Sequence, residues 1–210
     1  MNPQQRQAET RAIIEACGAL IEDDHLVYAS GDHGNGWIAK DIINLDPRLP
    51  RRLSELLAEA AGHLSFDVVC GPAVGGLICA QFTALALSCS CVYAERVTVD
   101  GEERFALRRG QDEFVKGRRV LVVDDVVNTG YSIKLAMDTV RAAGGEVVGA
   151  ATWINRGNIG AGELGVDEFI FLDEVSLPSW PAENCELCAQ GVPVNTRYAH
   201  GAEFLSATNS

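Results

Sequence analysis

The stretch RVLVVDDVVNTGYS, residues 119–132, decides how this chain folds. Val120, Leu121, Val122 and Val123 follow one another without a polar break, as in a parallel strand covered on both faces. Two acids, Asp124 and Asp125, close the strand. A short Thr-Gly turn comes next. YSIKLAMDTVRAA then carries apolar residues at helical spacing and stops at Gly144 and Gly145. In an open parallel sheet, ligands bind beyond the carboxyl ends of the strands. Turn N–H groups and a helix N-terminus favour a phosphate there. Thr129 and Ser132 can donate hydroxyl hydrogen bonds to the same phosphate, and Gly130 lets the backbone come close. The two carboxylates do not suit a phosphate. They suit the vicinal hydroxyls of a sugar, or a hydrated Mg²⁺ beside one. The plainer alternative is a βα turn in which Asp125 or Thr129 caps the helix.

Working outward, FDVVC at 66–70 reads as a buried strand, GPAVGG at 71–76 as a turn and LICAQFTALAL at 77–87 as a helix. SCVYAE at 90–95, VVGAATWIN at 147–155 and FIFLD at 169–173 are further strands. The alternation predicts an α/β fold: a parallel twisted sheet flanked by helices. Residues 5–22 carry helical spacing. Residues 27–46 are rich in Gly, Asp and Asn and predict turns with short strands. Pro47 and Pro50 open another helix, which runs to about Gly62. Residues 96–118 are charged and poorly periodic. From Ser176 the chain has few apolar residues and three prolines, which predicts a surface extension. The organisation expected is one domain over 1–210: N-terminal helices and a hood at 1–64, a core at 65–175 and an extension at 176–210.

Composition narrows the class. A net charge of −12 argues against a nucleic-acid or anionic-membrane surface. The start lacks a signal-peptide layout, and no apolar run is long enough to span a bilayer, so a soluble cytoplasmic protein is expected. The seven cysteines are scattered, several in apolar runs, without a disulfide framework.

Residues 120–132 resemble the signature of type I phosphoribosyltransferases, which bind 5-phosphoribosyl-1-pyrophosphate (PRPP) with Mg²⁺. The resemblance implies that Asp124 and Asp125 hold the ribose hydroxyls, and the metal, directly or through water. It carries PRPP binding on through Val126, with Val127, Asn128, Thr129, Gly130, Tyr131 and Ser132 wrapping the 5-phosphate. Asn128 replaces the usual Thr, and Tyr131 a commoner Gly. GPAVGG resembles the family's pyrophosphate loop, which assigns Ala73, Val74 and Gly75 to the diphosphate. Residues 96–119 gather seven of the 17 basic residues: Arg96, Arg104, Arg108, Arg109, Lys116, Arg118 and Arg119. The family has a mobile catalytic loop here. Its usual Lys and His are missing, so Arg108 and Arg109 are the catalytic candidates, reaching into a neighbouring subunit's site, with Arg96 on PRPP.

AER at 94–96, LRRG at 107–110 and YASGDHGNGWIAKD at 28–41 resemble the orotate phosphoribosyltransferase branch. Ser30, Gly31, His33 and Lys40 fit its base-binding segment, although Ala29 stands where Lys is frequent. INRG at 154–157 resembles the strand end that gives an arginine to orotate, so Arg156 would grip a carboxylate bidentately. ENCELCAQGVPV at 183–194 resembles a C-terminal stretch of the same branch. A zinc site there would need more ligands than Cys185 and Cys188, with His200 as a distant third. The implied activity is orotate to orotidine 5′-phosphate, in a homodimer with shared sites. A phosphoribosyltransferase for a purine or another base, and a non-catalytic PRPP-sensing regulator, remain as alternatives.

Overall fold

The structure is a computed structural model that describes residues 1–208; the last two residues of the expected 176–210 extension lie outside the described residues. The chain opens with α1 (Pro3–Ala16), started by a capping box between Asn2 and Gln5. The helix expected over 5–22 ends early. Gly18 turns left-handed at φ 73°, and Leu20–Ile21 leaves as β1. Three more two-residue strands follow, β2 (Leu26–Val27), β3 (His33–Gly34) and β4 (Trp37–Ile38), then α2 (Lys40–Ile43) and α3 (Arg48–Ala61). Strands this short carry no period, which is why the short strands expected among the turns of 27–46 could not be given bounds.

The core runs β5 (Val68–Pro72), α4 (Gly75–Leu87), β6 (Ser90–Val99), β7 (Glu102–Ala106), α5 (Gln111–Val115), β8 (Arg119–Val127), α6 (Tyr131–Ala142), β9 (Glu146–Asn155), α7 (Ala161–Leu164) and β10 (Phe169–Glu174). Six strands form one sheet in the order β10-β9-β8-β5-β6-β7, parallel except for the β6–β7 hairpin. Alternate residues of β8 supply the two faces. Leu121 and Val123 join Val69, Trp153, Leu53 and Leu57 beneath α1, α3 and α4. Val120 and Val122 join Ile133, Ala136, Met137 and Val140 of α6. Each such buried aliphatic contributes about 1.5–3 kcal/mol by leaving water. Trp153 Nε1 donates to Ser54 Oγ at 3.2 Å, and Ser54 donates on to the Cys79 carbonyl at 3.2 Å, so these two buried polar side chains are paired.

The chain leaves β5 toward β6 on one side, and later returns to place β8 on the other. The crevice of such a sheet opens where the strand order reverses, between the carboxyl ends of β5 and β8.

Two parts differ from the sequence reading. Residues 96–118 are not irregular: β6 continues to Val99 and returns through β7. Asp100 and Gly101 make the turn with φ of 53° and 83°, the Asp-Gly signal of a tight hairpin. The extension does lie at the surface, as expected, with most of its residues exposed or half-buried, but it is also knitted onto the hood. Its strand β11 (Ser179–Trp180) pairs with β3, and it continues through α8 (Glu186–Ala189) to α9 (Gly201–Thr208). Asn195 N–H donates to the His25 carbonyl at 2.7 Å, and His200 N–H to that of Val27 at 2.9 Å. No helix among the described residues is long and apolar enough to cross a membrane.

Candidate active site

The site is built where the strand order reverses. β8 delivers Asp124 and Asp125 to the floor of the crevice, 6% and 0% exposed. Lys40, at the start of α2, reaches across to Asp125 Oδ1 at 3.1 Å. Asp125 Oδ1 also accepts the Val126 N–H at 2.7 Å. Among the described residues, Asp125 Oδ2 is buried without a hydrogen-bond partner. Burial and the Asp125 carboxylate push the Asp124 carboxyl well above the usual range, against the pull of Lys40. Burial draws the Lys40 ammonium down, but the two carboxylates outweigh it, and its net shift is upward.

The turn after β5 lies directly on this pair. A Cβ on Gly75 would run into the Asp125 carboxylate. A Cβ on Gly76 would sit 2.8 Å from Asp124 Oδ1. Both positions therefore need glycine for close approach. Ala73 is anchored through its N–H to the Ala94 carbonyl at 2.8 Å, and Val74 is exposed. The Ala73–Val74 peptide is cis.

Beyond the acids, residues 126–132 bend around a cavity of about 130 Å³, lined by Lys40, Asp124 and every residue from Val126 to Ile133. Gly130 is left-handed at φ 76° and serves as the N-cap of α6. The first-turn N–H groups of α6 face this hollow without intrahelical partners, as at any helix start. Thr129 Oγ1 accepts the Tyr131 N–H at 3.4 Å. Small, polar and rich in N–H donors, the hollow has the chemistry of a phosphate cradle.

A second cavity of about 210 Å³ shares Lys40, Val126 and Asn128 with the first. Tyr28 and Trp37 stack in it, rings 6.1 Å apart and inclined by 24°. The Arg156 guanidinium lies 4.6 Å from the Tyr28 ring and 5.5 Å from the Trp37 ring. Arg156 is fixed by its N–H to the Val127 carbonyl at 2.8 Å. Among the described residues its buried Nε has no acceptor. His200 and Ala29 complete this wall. A third hollow, about 640 Å³, continues the cleft past Ser30 and Gly157.

A model of the phosphoribosyl transferase domain matches residues 42–182. The chain belongs to the phosphoribosyltransferase family. It is 36% identical over 175 residues to the orotate phosphoribosyltransferase of Caldanaerobacter subterraneus subsp. tengcongensis, covering 83% of this chain and 88% of the relative. It is 38% identical over 179 residues to that of Carboxydothermus hydrogenoformans, covering 84% and 89%. The crystal structure of orotate phosphoribosyltransferase from Aeropyrum pernix superposes with a TM-score of 0.64 at 28% identity, over 78% of this chain and 92% of that one.

In this phosphoribosyltransferase, the residues singled out from the sequence do not all converge. Asp124, Asp125, residues 126–132, Gly75, Lys40, Ser30 and Arg156 line or abut one continuous cleft. Lys40, expected at the base, is held by Asp125 and stands between the two smaller cavities. Ser30 is exposed and donates to Asp32 at 3.0 Å. The arginines lie apart. Arg96 pairs with Glu103 at 3.1 Å and lies over Phe105, Arg109 pairs with Glu95, and Arg108 is exposed. His33, expected in the base-binding segment, is buried and turns to His25 at 2.9 Å instead. Tyr28 and Trp37 as a stacked pair, Gly76, Gly157 and the lining role of His200 escaped sequence reading. For Gly157 the signal was the INRG turn itself: a Cβ there would overlap the Asn128 carbonyl, so glycine lets the arginine turn pass the phosphate-loop backbone.

Proposed function

We propose that this protein transfers the 5-phosphoribosyl group of PRPP to orotate, giving orotidine 5′-phosphate and pyrophosphate. The observation that carries the acceptor is Arg156: a guanidinium with a buried, unpartnered Nε against two stacked rings, one cavity along from the acidic floor. That is a site for a flat acceptor bearing a carboxylate. The two curated relatives described above, both orotate phosphoribosyltransferases, support the same reading.

In the proposed reaction a ring nitrogen of orotate attacks the anomeric carbon of PRPP. The bond from that carbon to the pyrophosphate oxygen breaks, and the electron pair leaves with the pyrophosphate. Positive charge grows on the ribose ring meanwhile. Asp124 and Asp125 accept hydrogen bonds from the ribose hydroxyls and lie close enough to favour that charge. Residues 127–132 hold the 5-phosphate, and Ala73, Val74 and Gly75 offer backbone to the diphosphate. Tyr28, Trp37 and Arg156 fix the plane of the base, so the reaction becomes one of positioning. Orotate's negative charge lies on its carboxylate, and the attacking ring nitrogen gives up its proton to solvent as the new bond forms, so the site needs little help from a general base.

Two hard carboxylates, one with an orphaned oxygen, fit a Mg²⁺ ion at Asp124 and Asp125, directly or through water. Such an ion would neutralise charge on the departing pyrophosphate. The proposal includes a homodimer in which the arginines beyond β7, Arg108 and Arg109 above all, serve the partner's cleft.

The test is pyrophosphate release from PRPP and Mg²⁺ with orotate, uracil, adenine, hypoxanthine, guanine and xanthine in turn. Release with orotate alone, lost in Arg156→Ala, is the expected result. Release with another base instead would overturn the acceptor and leave the transfer chemistry. PRPP binding without release for any base would point to a sensing protein.

A further inference from the structure

Apart from the cleft, four side chains from distant parts of the chain converge on one point. His25 precedes β2 and His33 lies in β3, its antiparallel partner. Cys185 caps α8 and Cys188 lies within it. The four ligand atoms all lie within 4.8 Å of one another. We infer that His25, His33, Cys185 and Cys188 bind one divalent, thiolate-accepting metal ion, zinc in the first instance, which staples the C-terminal extension to the hood.

The distances have the right size. Cys185 Sγ is 3.5 Å from His25 Nε2, and Cys188 Sγ is 3.6 Å from it and 3.3 Å from His33 Nδ1. The two imidazole nitrogens are 2.9 Å apart. A tetrahedral zinc ion, at about 2.3 Å from sulfur and about 2.0–2.1 Å from nitrogen, sets sulfur and nitrogen ligands about 3.5 Å apart. The three sulfur–nitrogen spacings cluster around that edge length. A small opening of the two imidazoles would bring that edge to tetrahedral length, and the two remaining edges are each within 4.8 Å.

The surrounding bonds orient the ligands. The only acceptor at His25 Nδ1 among the described bonds is the Val192 carbonyl, 2.7 Å away. The proton therefore sits on Nδ1, and the Nε2 lone pair points into the cluster, as when a backbone carbonyl holds a metal-bound imidazole. The Cys188 N–H donates to Cys185 Sγ at 3.4 Å, a bond that suits a thiolate. Without a metal, the same point must hold two thiol protons and the proton shared between the imidazoles. One dication displaces the two thiol protons, and the imidazole proton moves to His33 Nε2, which is buried without a hydrogen-bond partner among the described residues. With two thiolates it leaves no net charge to bury. Two sulfurs and two imidazoles, with no carboxylate in the set, select zinc over magnesium or calcium. None of the four residues is among those lining the three hollows of the cleft, so this site is distinct from the proposed Mg²⁺ position. A Cys185–Cys188 disulfide would leave both imidazoles without a role, and both thiols are free.

The test uses the full chain, purified under reducing conditions without chelator. Elemental analysis should find one zinc per chain that survives dialysis. Metal-free protein should take up Co²⁺ with the visible bands of a tetrahedral thiolate complex, and Cys188→Ser should weaken uptake at least tenfold. Reduced wild-type protein that takes up neither ion at micromolar concentration would overturn the site. Stripping the metal should also speed proteolytic cleavage after residue 176; an unchanged cleavage rate in metal-free protein would overturn the staple.

Discussion

Arg156 and Asp124 carry opposite kinds of cost. Arg156 has a buried donor without a partner among the described residues, so on the proposed reading removing the side chain deletes a charged hydrogen bond that forms only with the acceptor. Arg156→Ala should raise KM for orotate by about 100-fold, from about 2–3 kcal/mol of lost charged hydrogen bonding, with KM for PRPP unchanged. Arg156→Lys should recover little of this, because an ammonium lacks the planar fork; initial rates at varied orotate check both. Asp124 is buried beside a like charge, and its carboxyl is held high. Such a group folds most favourably when protonated. Its contribution to stability is complete below the unfolded pKa of about 3.9, and is lost as pH rises toward the raised native value. Asp124→Asn should therefore raise Tm at neutral pH, by about 2–4 °C for each kcal/mol relieved, while turnover disappears. Thermal melts from acid to neutral pH should show the variant gaining on the wild type as pH rises. A variant that melts lower than wild type at neutral pH would contradict this account.

Legibility varied by element. β8 was plain from its unbroken aliphatic run and closing acids, and α6 from its period. The turn before α4 was readable as a loop, but the reason it must be glycine was not: the obstacle is a carboxylate from a strand far along the chain. Short strands were expected in the hood, but their bounds and pairings were not legible, because two residues have no period and the partners β3 and β11 lie on opposite sides of the core in sequence. The same non-locality hid the His25–His33–Cys185–Cys188 cluster, of which sequence spacing exposes only Cys-x-x-Cys. The β6–β7 hairpin could have been found, since Asp100-Gly101 sits between two runs containing Val97, Val99, Phe105 and Leu107. It now supports a prediction. Replacing Asp100-Gly101 by Ala-Ala forces two left-handed residues into strained conformations. If the hairpin presents the catalytic arginines, kcat should fall at least tenfold while PRPP affinity, read by calorimetry, stays within twofold. Equal loss of both would assign the hairpin to the fold alone.

Across the whole molecule, a net charge of −12 leaves an acidic protein that must bind an anionic donor and an anionic acceptor. On the proposed reading, local fields decide binding: the N-terminus of α6, Lys40, Arg156 and arginines supplied from beyond the hairpin. If those last come from a partner chain, each half-site variant should be inactive alone and rescued by the other. Mixing Asp124→Asn/Asp125→Asn with Arg108→Ala/Arg109→Ala, after dissociation and reassembly, should restore about a quarter of wild-type activity, since half of the dimers would then hold one intact site. No recovery despite proven hybrid dimers would mean that each chain uses its own arginines.

The bond from His200 to the Val27 carbonyl has a consequence for synthesis on the ribosome. The hood leaves the exit tunnel early, followed by the sheet with its acidic floor and phosphate cradle. The wall that His200 adds to the base cavity is made long after the hood it closes on. A nascent chain arrested before that point would hold the sugar-phosphate half of the cleft but an unfinished place for the base. Such a chain, lacking one wall of the base cavity, should discriminate among acceptors less well than the whole protein.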